Sequence, residues 1–377
     1  MRNKCTLLID GNWLLMSRFS MISDEFSTAF SEERLEAAKN NLKDFLARSI
    51  ILQVNKLYGI IDNIILVADG GSWRNRIDKP STIVEEYKGN RSRSEDVEWA
   101  YVFESLSEIQ ENLRSLGVTA CKNLGVEGDD WIWHWSTKLN KEGINCIIWS
   151  SDGDLKQLVK YENNVWTVWY NDRYGLVLPE NMNDEGDDLA FYMNCNFYSE
   201  TFNKLKNLSP KGYKYLSPDS IVIEKTMCGD AGDNVKPIMR VRSGSKNYKY
   251  TPKMWSTLSE KLQINTINDL LNNKENIVKE LLKSRTGKWL NFNNTNEQVL
   301  EELNYNLKLV WLNSSQIPDD IQDIMNEEEY KIADIDYIRN NFKIIAGQSN
   351  EVQDISSIFE SIDDSKDSEN SENYLPF

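Results

Sequence analysis

The stretch Cys146-Ile-Ile-Trp-Ser-Ser-Asp-Gly-Asp154 sets the architecture: an apolar run too short for a helix ends in a turn carrying two carboxylates. Two earlier runs repeat the pattern, Thr6-Leu-Leu-Ile-Asp10 and Ile64-Ile-Leu-Val-Ala-Asp69. Amphipathic stretches lie between them: Glu32–Leu57, with Leu35, Leu42, Phe45, Leu46, Ile50 and Val54 near helical spacing, then Glu95–Leu116 and Asp129–Leu139. Strand alternating with helix predicts an α/β fold with a mainly parallel central sheet flanked by helices. Val118–Cys121 reads as a short strand, Leu155–Tyr161 as a helix, and Val165–Tyr170 with Gly175–Leu178 as a terminal hairpin. The expected division is an α/β core over 1–185 with a polar, Gly- and Arg-containing segment at 70–94, a mostly helical part over 186–345 and an acidic tail over 346–377. Within the second part, 203–218 reads as a loop; residues 361–377 are Ser/Asn-rich and expected to be disordered.

In open α/β sheets, ligands bind outside the carboxyl ends of the strands, so parallel strands would carry Asp10, Asp69, Asp152 and Asp154 to one edge. Two further acidic groups are Glu127-Gly-Asp129-Asp130, opening a helix, and Gly229-Asp230-Ala-Gly-Asp233-Asn234. Taken singly, each reads as a turn or helix cap. Taken together, carboxylates about 4 Å apart would repel by ~4 kcal/mol per pair, which a bound cation relieves. An oxygen-only donor set selects Mg²⁺, with Mn²⁺ as substitute, and two such ions suit in-line phosphoryl displacement. A lone histidine, His134, leaves no means of building a Ser/His/Asp or Cys/His site, and no Walker or GxGxxG loop is present.

The 377 residues carry a net charge of −16, which on its face argues against a nucleic-acid partner. The tail from Glu351 holds eight acids and one lysine, and the nine site carboxylates supply the rest of the excess. Two basic stretches stand out against this. One holds Arg74, Arg76, Lys79, Lys88, Arg91 and Arg93, with Trp73 and Tyr87 among them. The other, Lys236–Lys253, holds Lys236, Arg240, Arg242, Lys246, Lys249 and Lys253 without an acid, a plausible track for a phosphate backbone. The apolar runs are far too short to span a membrane, and five cysteines without a CxxC pair suit a reducing cytoplasm.

LLIDGN (7–12), LVADG (66–70), EYKGNR (86–91), VEGDD (126–130), SSDGDLKQL (150–158) and CGDAGDNV (228–235) resemble, in order and spacing, the flap endonuclease superfamily, most closely its tailed-phage 5′–3′ exonuclease and phage ribonuclease H branch. The resemblance covers about residues 5–260. It implies a metal-dependent nuclease that removes RNA primers or flaps from 5′ ends during replication, in the cytoplasm of a host cell if phage-encoded. By the same resemblance Asp10, Asp69, Glu127, Asp129, Asp152, Asp154, Asp230 and Asp233 hold two Mg²⁺ ions, and Asp130 is an outer ligand or water orienter. Lys88 and Arg91 face the scissile phosphate from an arch at 70–94, and Tyr87 stacks on an unpaired base. Arg74, Arg76, Arg93 and the Lys236–Lys249 cations would grip the nucleic acid. The family's Gly-x-Gly-x-Lys loop after GDxxDN is replaced here by Val235-Lys-Pro-Ile-Met-Arg-Val-Arg-Ser-Gly-Ser-Lys246.

The implied substrates are branched or nicked DNA and RNA–DNA hybrid with a 5′ end, bound by a monomer. Ile355–Phe359 and Tyr374–Phe377 in the tail are candidate anchors for a single-strand-binding protein or sliding clamp. The rival readings are a PIN-type ribonuclease and a catalytically silent fork-binding protein.

Overall fold

The computed structural model describes residues 4–181, 211–243, 246–283, 289 and 292–347. Its centre is an eight-stranded sheet built from β1 (Cys5–Asp10), β2 (Asn63–Val67), β3 (Thr119–Cys121), β4 (Asn145–Trp149), β5 (Lys160–Glu162), β6 (Val165–Asn171), β7 (Gly175–Pro179) and β8 (Tyr213–Leu216). The order is β3-β2-β1-β4-β6-β7-β8, with β5 on β6. The first five strands of that order run parallel. Strands β1, β2 and β4 are buried at every position, which is why they read as unbroken apolar runs rather than alternating ones.

Helices α1 (Gly11–Phe19), α2 (Glu32–Lys56) and α3 (Trp99–Ser115) cover one face of the sheet, and α4 (Gly128–Lys141) the other. Ser31 caps α2 by accepting from the Arg34 N–H, and Leu35, Leu42, Leu46, Ile50 and Val54 bury its inner stripe. A third core joins α5 (Pro218–Cys228), α6 (Pro252–Leu262), α7 (Ile267–Lys283) and α8 (Asn296–Val310) with Ile83 and Tyr87. The chain then returns to the sheet. Helix α9 (Asp319–Asn326) packs Ile321 and Met325 on the α4 side, while α10 (Ile335–Asn340) and α11 (Phe342–Ala346) pack Ile338 and Ile345 against the α2–α3 side.

Three expectations are corrected here. Leu155–Tyr161 is not a helix: a 3-10 turn over Asp154–Leu158 gives way to β5, because β6 offers an antiparallel edge. The β6–β7 hairpin is present but not terminal, since β8 adds to it in parallel, inside a stretch read as loop. Lys236–Lys253 contains a hairpin, β9 (Arg240–Ser243) paired with β10 (Lys246–Lys249), anchored by Val241 and Tyr248 against the third core. The tail, with its two candidate anchors, lies outside the described residues.

Candidate active site

Asp10 ends β1 and caps α1: it accepts from the Trp13 N–H at 3.0 Å and from the Ser150 hydroxyl at 2.6 Å. Asp69 follows β2 and accepts from the Gly128 N–H at 2.6 Å and Asn12 Nδ2 at 2.7 Å, which joins the ends of β1, β2 and α4. Glycine at position 70 is required because a Cβ there would lie 1.8 Å from the Asn123 carbonyl oxygen. Asp152 follows β4 and receives the Asp154 N–H at 2.8 Å, and Asp154 itself pairs with Lys225. Asp230 leaves the C-terminus of α5 after Gly229, whose φ of +74° suits only glycine. Asp230 pairs with Lys225 as well.

These carboxylates sense one another. Burial raises the pKa of Asp10 to about 7, reinforced by Asp152 and Asp69. Asp129 is pushed well above the carboxylate range by burial and then by Asp152, with Asp10 and Glu127 adding to it. Asp152 is raised by burial, which the lowering charge of Lys225 does not overcome, and Asp233 and Asp230 raise it further. Asp69 is raised by burial against the opposing pull of Lys88. Two acids go the other way. Burial opposes ionisation of Glu127 and Asp233, but Arg74 and Lys88 hold the first low, and Lys88 and Arg91 the second.

Lys88 and Arg91 lie among the acids. Lys88 Nζ donates to Glu127 and Arg91 to Asp233. The loop carrying them is stitched to the Asp230–Asn234 turn by Lys88 N–H to the Asp233 carbonyl (2.9 Å), Asn234 Nδ2 to the Glu86 carbonyl (2.7 Å) and Asn90 Nδ2 to the Ala231 carbonyl (2.9 Å). A cavity of about 330 Å³ opens beside them, lined by Asn12, Asp69, Glu127, Lys88, Arg91 and Arg93.

Several assignments do not survive their placement. Arg74 is 2% exposed and bridges Glu127 and Asp130, with its Nε on the Leu309 carbonyl at 2.9 Å, so it cannot meet nucleic acid. Asp130 is fully buried, and its oxygens serve Arg74, Trp73 Nε1 (2.9 Å) and the Glu127 N–H (3.2 Å). It completes the capping box of α4 and, with Arg74, holds Glu127 in place; it has no free oxygen to orient water. Tyr87 is 8% exposed with its hydroxyl on Asp233 at 2.9 Å, which excludes stacking on a base. Arg240 chelates the buried Glu302 and donates to the Thr82 and Pro237 carbonyls, holding the hairpin base to α8.

Other cations keep open faces. Lys246 and Lys249 are exposed on β10; Arg76 is exposed beside Asp320. Arg93 lies over the Phe103 ring at 4.6 Å. Lys236 is half-buried between Asn234 and Glu85. Arg242 belongs to β9, but its side chain lies outside the described set.

One residue escaped the sequence reading. Lys225, between Asp154 and Asp230, is the cation that joins the β4 turn to the α5 turn. Its position five residues before Asp230 was a weak signal, because a helical lysine ordinarily faces water.

Among the described residues, no three acidic side chains already form a closed coordination shell. Lys88 and Lys225 lie among them as counter-ions. The donors still fit a hard divalent cation: all are oxygens, and four carboxylates are held toward the neutral form by burial that such a cation would offset.

Residues 5–185 match the family model of the 5′-3′ exonuclease N-terminal resolvase-like domain. A 5′-3′ exonuclease of Mycoplasmopsis pulmonis is 30% identical over 261 residues, 67% of this chain and 69% of that protein. The chain belongs to the 5′–3′ exonuclease family of the flap endonuclease superfamily. The 5′-3′ exonuclease of Buchnera aphidicola subsp. Acyrthosiphon pisum is 24% identical over 85% of this chain and 90% of its own length. Two phage T5 structures share the fold at a TM-score of 0.50: a 5′-exonuclease with bound divalent metal ions (zinc), at 17% identity, and a flap endonuclease variant with DNA and metal ions, at 18%. They cover 91% and 92% of this 5′–3′ exonuclease-family chain, and all of their own. In this chain the acids after β1, β2 and β4, the Lys88–Arg91 loop and the Asp230–Asn234 turn lie beside one another.

Proposed function

We propose that this family member is a Mg²⁺-dependent nuclease that uses two ions to hydrolyse phosphodiesters near 5′ ends, acting on 5′ flaps, nicked or branched DNA and RNA primers in RNA–DNA hybrids during replication. The observation that carries this reading is that burial and mutual repulsion raise Asp10, Asp69, Asp129 and Asp152 together at one sheet edge, opposite Lys88 and Arg91. Asp10, Asp69, Glu127, Asp129, Asp152, Asp154, Asp230 and Asp233 are the proposed ligands. When bound, the ions activate water and offset the charge of the leaving 3′-oxygen.

The protein's own part is electrostatic and geometric. Arg74 and Lys88 hold Glu127 in its ionised form, and Asp130 positions it through the Glu127 N–H. Lys88, held on a backbone with φ of +54°, and Arg91 aim two cations at the phosphate whose charge grows in the transition state. Because Asp233 supports both, substrate phosphate would compete with Asp233 and Glu127 for them. Exposed Lys246 and Lys249 on the β9–β10 hairpin stand in for the absent Gly-x-Gly-x-Lys loop as a contact to duplex backbone.

The test is product sizing on a 5′-labelled flap and on an RNA–DNA hybrid, with Mg²⁺ or with chelator. Release of short 5′ fragments only with Mg²⁺ is expected. Metal-independent cleavage, or cutting of plain single-stranded RNA in preference to the flap, would replace this reading with another.

A further inference from the structure

Lys88, Lys225 and Lys236 each have a carboxylate partner at the edge of the site. Two lysines on the β6–β8 flank have none among the described residues. Lys156, in the turn after Asp154, lies with its Nζ 4.4 Å from the centroid of the Trp169 ring, and Trp169 Nε1 donates to the Asp152 carbonyl at 3.0 Å. A Cβ on Gly153 would stand 3.9 Å from the same Nζ, so the ammonium sits against the Asp-Gly-Asp turn itself.

The second lysine comes from β8, the strand that the sequence concealed. Trp169 pairs with Val177 across β6–β7, and Val177 with Lys214 across β7–β8. Residues in register across neighbouring strands share a face, so Trp169, Val177 and Lys214 form one row. Lys156 lies over the first member and exposed Lys214 ends it. No carboxylate of the described residues forms an ion pair with either. Two strand spacings, about 10 Å, separate Trp169 from Lys214 along that row, so a phosphate has room between the lysine over the ring and the lysine at the end. Two neighbouring cations without an acid between them repel, and an anion seated between them relieves that repulsion.

We propose that Lys156 and Lys214 form a binding subsite for a backbone phosphate of the duplex, on the β8 flank of the carboxylate edge and separate from the Lys88–Arg91 pair. The subsite rests on the nuclease reading for its ligand. It gives the bound duplex a second grip beside the Asp152 turn, so that the scissile phosphate is held from both flanks.

The experiment compares wild type, Lys156→Gln, Lys214→Gln and the double variant in binding a 5′-flapped duplex with Ca²⁺, across a salt series. Lys141→Gln is the control: it lies at the far end of α4, about 20 Å along the helix from the site edge. Each lost duplex contact should lower the slope of log affinity against log salt by about 0.9, so the double variant should lose nearly 2 and the control nothing. Lys214→Gln, exposed on its strand, keeps the test valid if Lys156→Gln disturbs packing on Trp169.

An unchanged slope in the double variant, or an equal drop in the Lys141→Gln control, overturns the subsite. Inorganic phosphate that raises the melting temperature of wild type but not of the double variant, with the DNA slope unchanged, assigns the pair to a free ion and also overturns it. Failure of the nuclease reading looks different: wild type would then leave the flap uncut with Mg²⁺, whatever these lysines bind.

Discussion

The backbone N–H of Lys88 donates to the carbonyl of Asp233 at 2.9 Å, while the Lys88 ammonium reaches past Asp233 to Glu127. A residue of the basic segment thus takes its position from the last acidic turn, and its charge is delivered to a carboxylate that opens α4. The left-handed backbone at Lys88 (φ +54°) and at Asn234 (φ +59°) is the local cost of that junction, roughly 1 kcal/mol or more for each.

Lys88→Ala should lower single-turnover cleavage of a 5′ flap by ~10²-fold or more, since a donor aimed at developing charge is typically worth that. KM should change little. A loss confined to KM would make Lys88 a residue of substrate grip.

Asp152→Asn should abolish Mg²⁺-dependent cleavage and leave flap binding in Ca²⁺ nearly intact. Because the native fold raises the pKa of Asp152, removing its charge should also raise the metal-free melting temperature at pH 8. Undiminished turnover would remove Asp152 from the proposed ligands.

Arg74→Ala should cost about 3–5 kcal/mol in urea denaturation, because Glu127 and Asp130 would be left buried without their counter-ion. Arg74→Lys should recover little, as a point charge cannot span both carboxylates and the Leu309 carbonyl. A surface phosphate contact would instead leave stability unchanged and reduce the salt dependence of binding.

Asp10 binds its proton more tightly folded than unfolded, with a pKa raised from 3.8 to about 7. Its contribution to stability is therefore greatest at acid pH and falls as pH rises from about 4 through 7. Melting curves in chelator should show that decline, Asp10→Asn should flatten part of it, and excess divalent cation should reverse it at pH 8.

The strands of the parallel half were legible because burial on both faces leaves unbroken apolar runs, and the aspartates after β1, β2 and β4 marked their carboxyl ends. β8 was hidden for the opposite reason. Tyr213–Leu216 is a half-exposed edge without a long apolar run, and only its pairing with β7 makes it a strand.

Chemistry followed the same division. Residue order along the chain marked the aspartates at the ends of β1, β2 and β4, since carboxylates there have one edge to share, while the other acids and the Lys88–Arg91 pair were marked by the family resemblance of their motifs. Which cations are free to meet a phosphate was decided by the tertiary structure. Arg74, Arg240 and Tyr87 look like ligand-facing groups in a basic stretch, yet Glu127, Glu302 and Asp233 consume them. Lys156, inside the SSDGDLKQL motif, and Lys214, outside every motif, form no such pair with an acid among the described residues. A buried ion pair forms only when distant segments meet, and that meeting has no local signature in the chain.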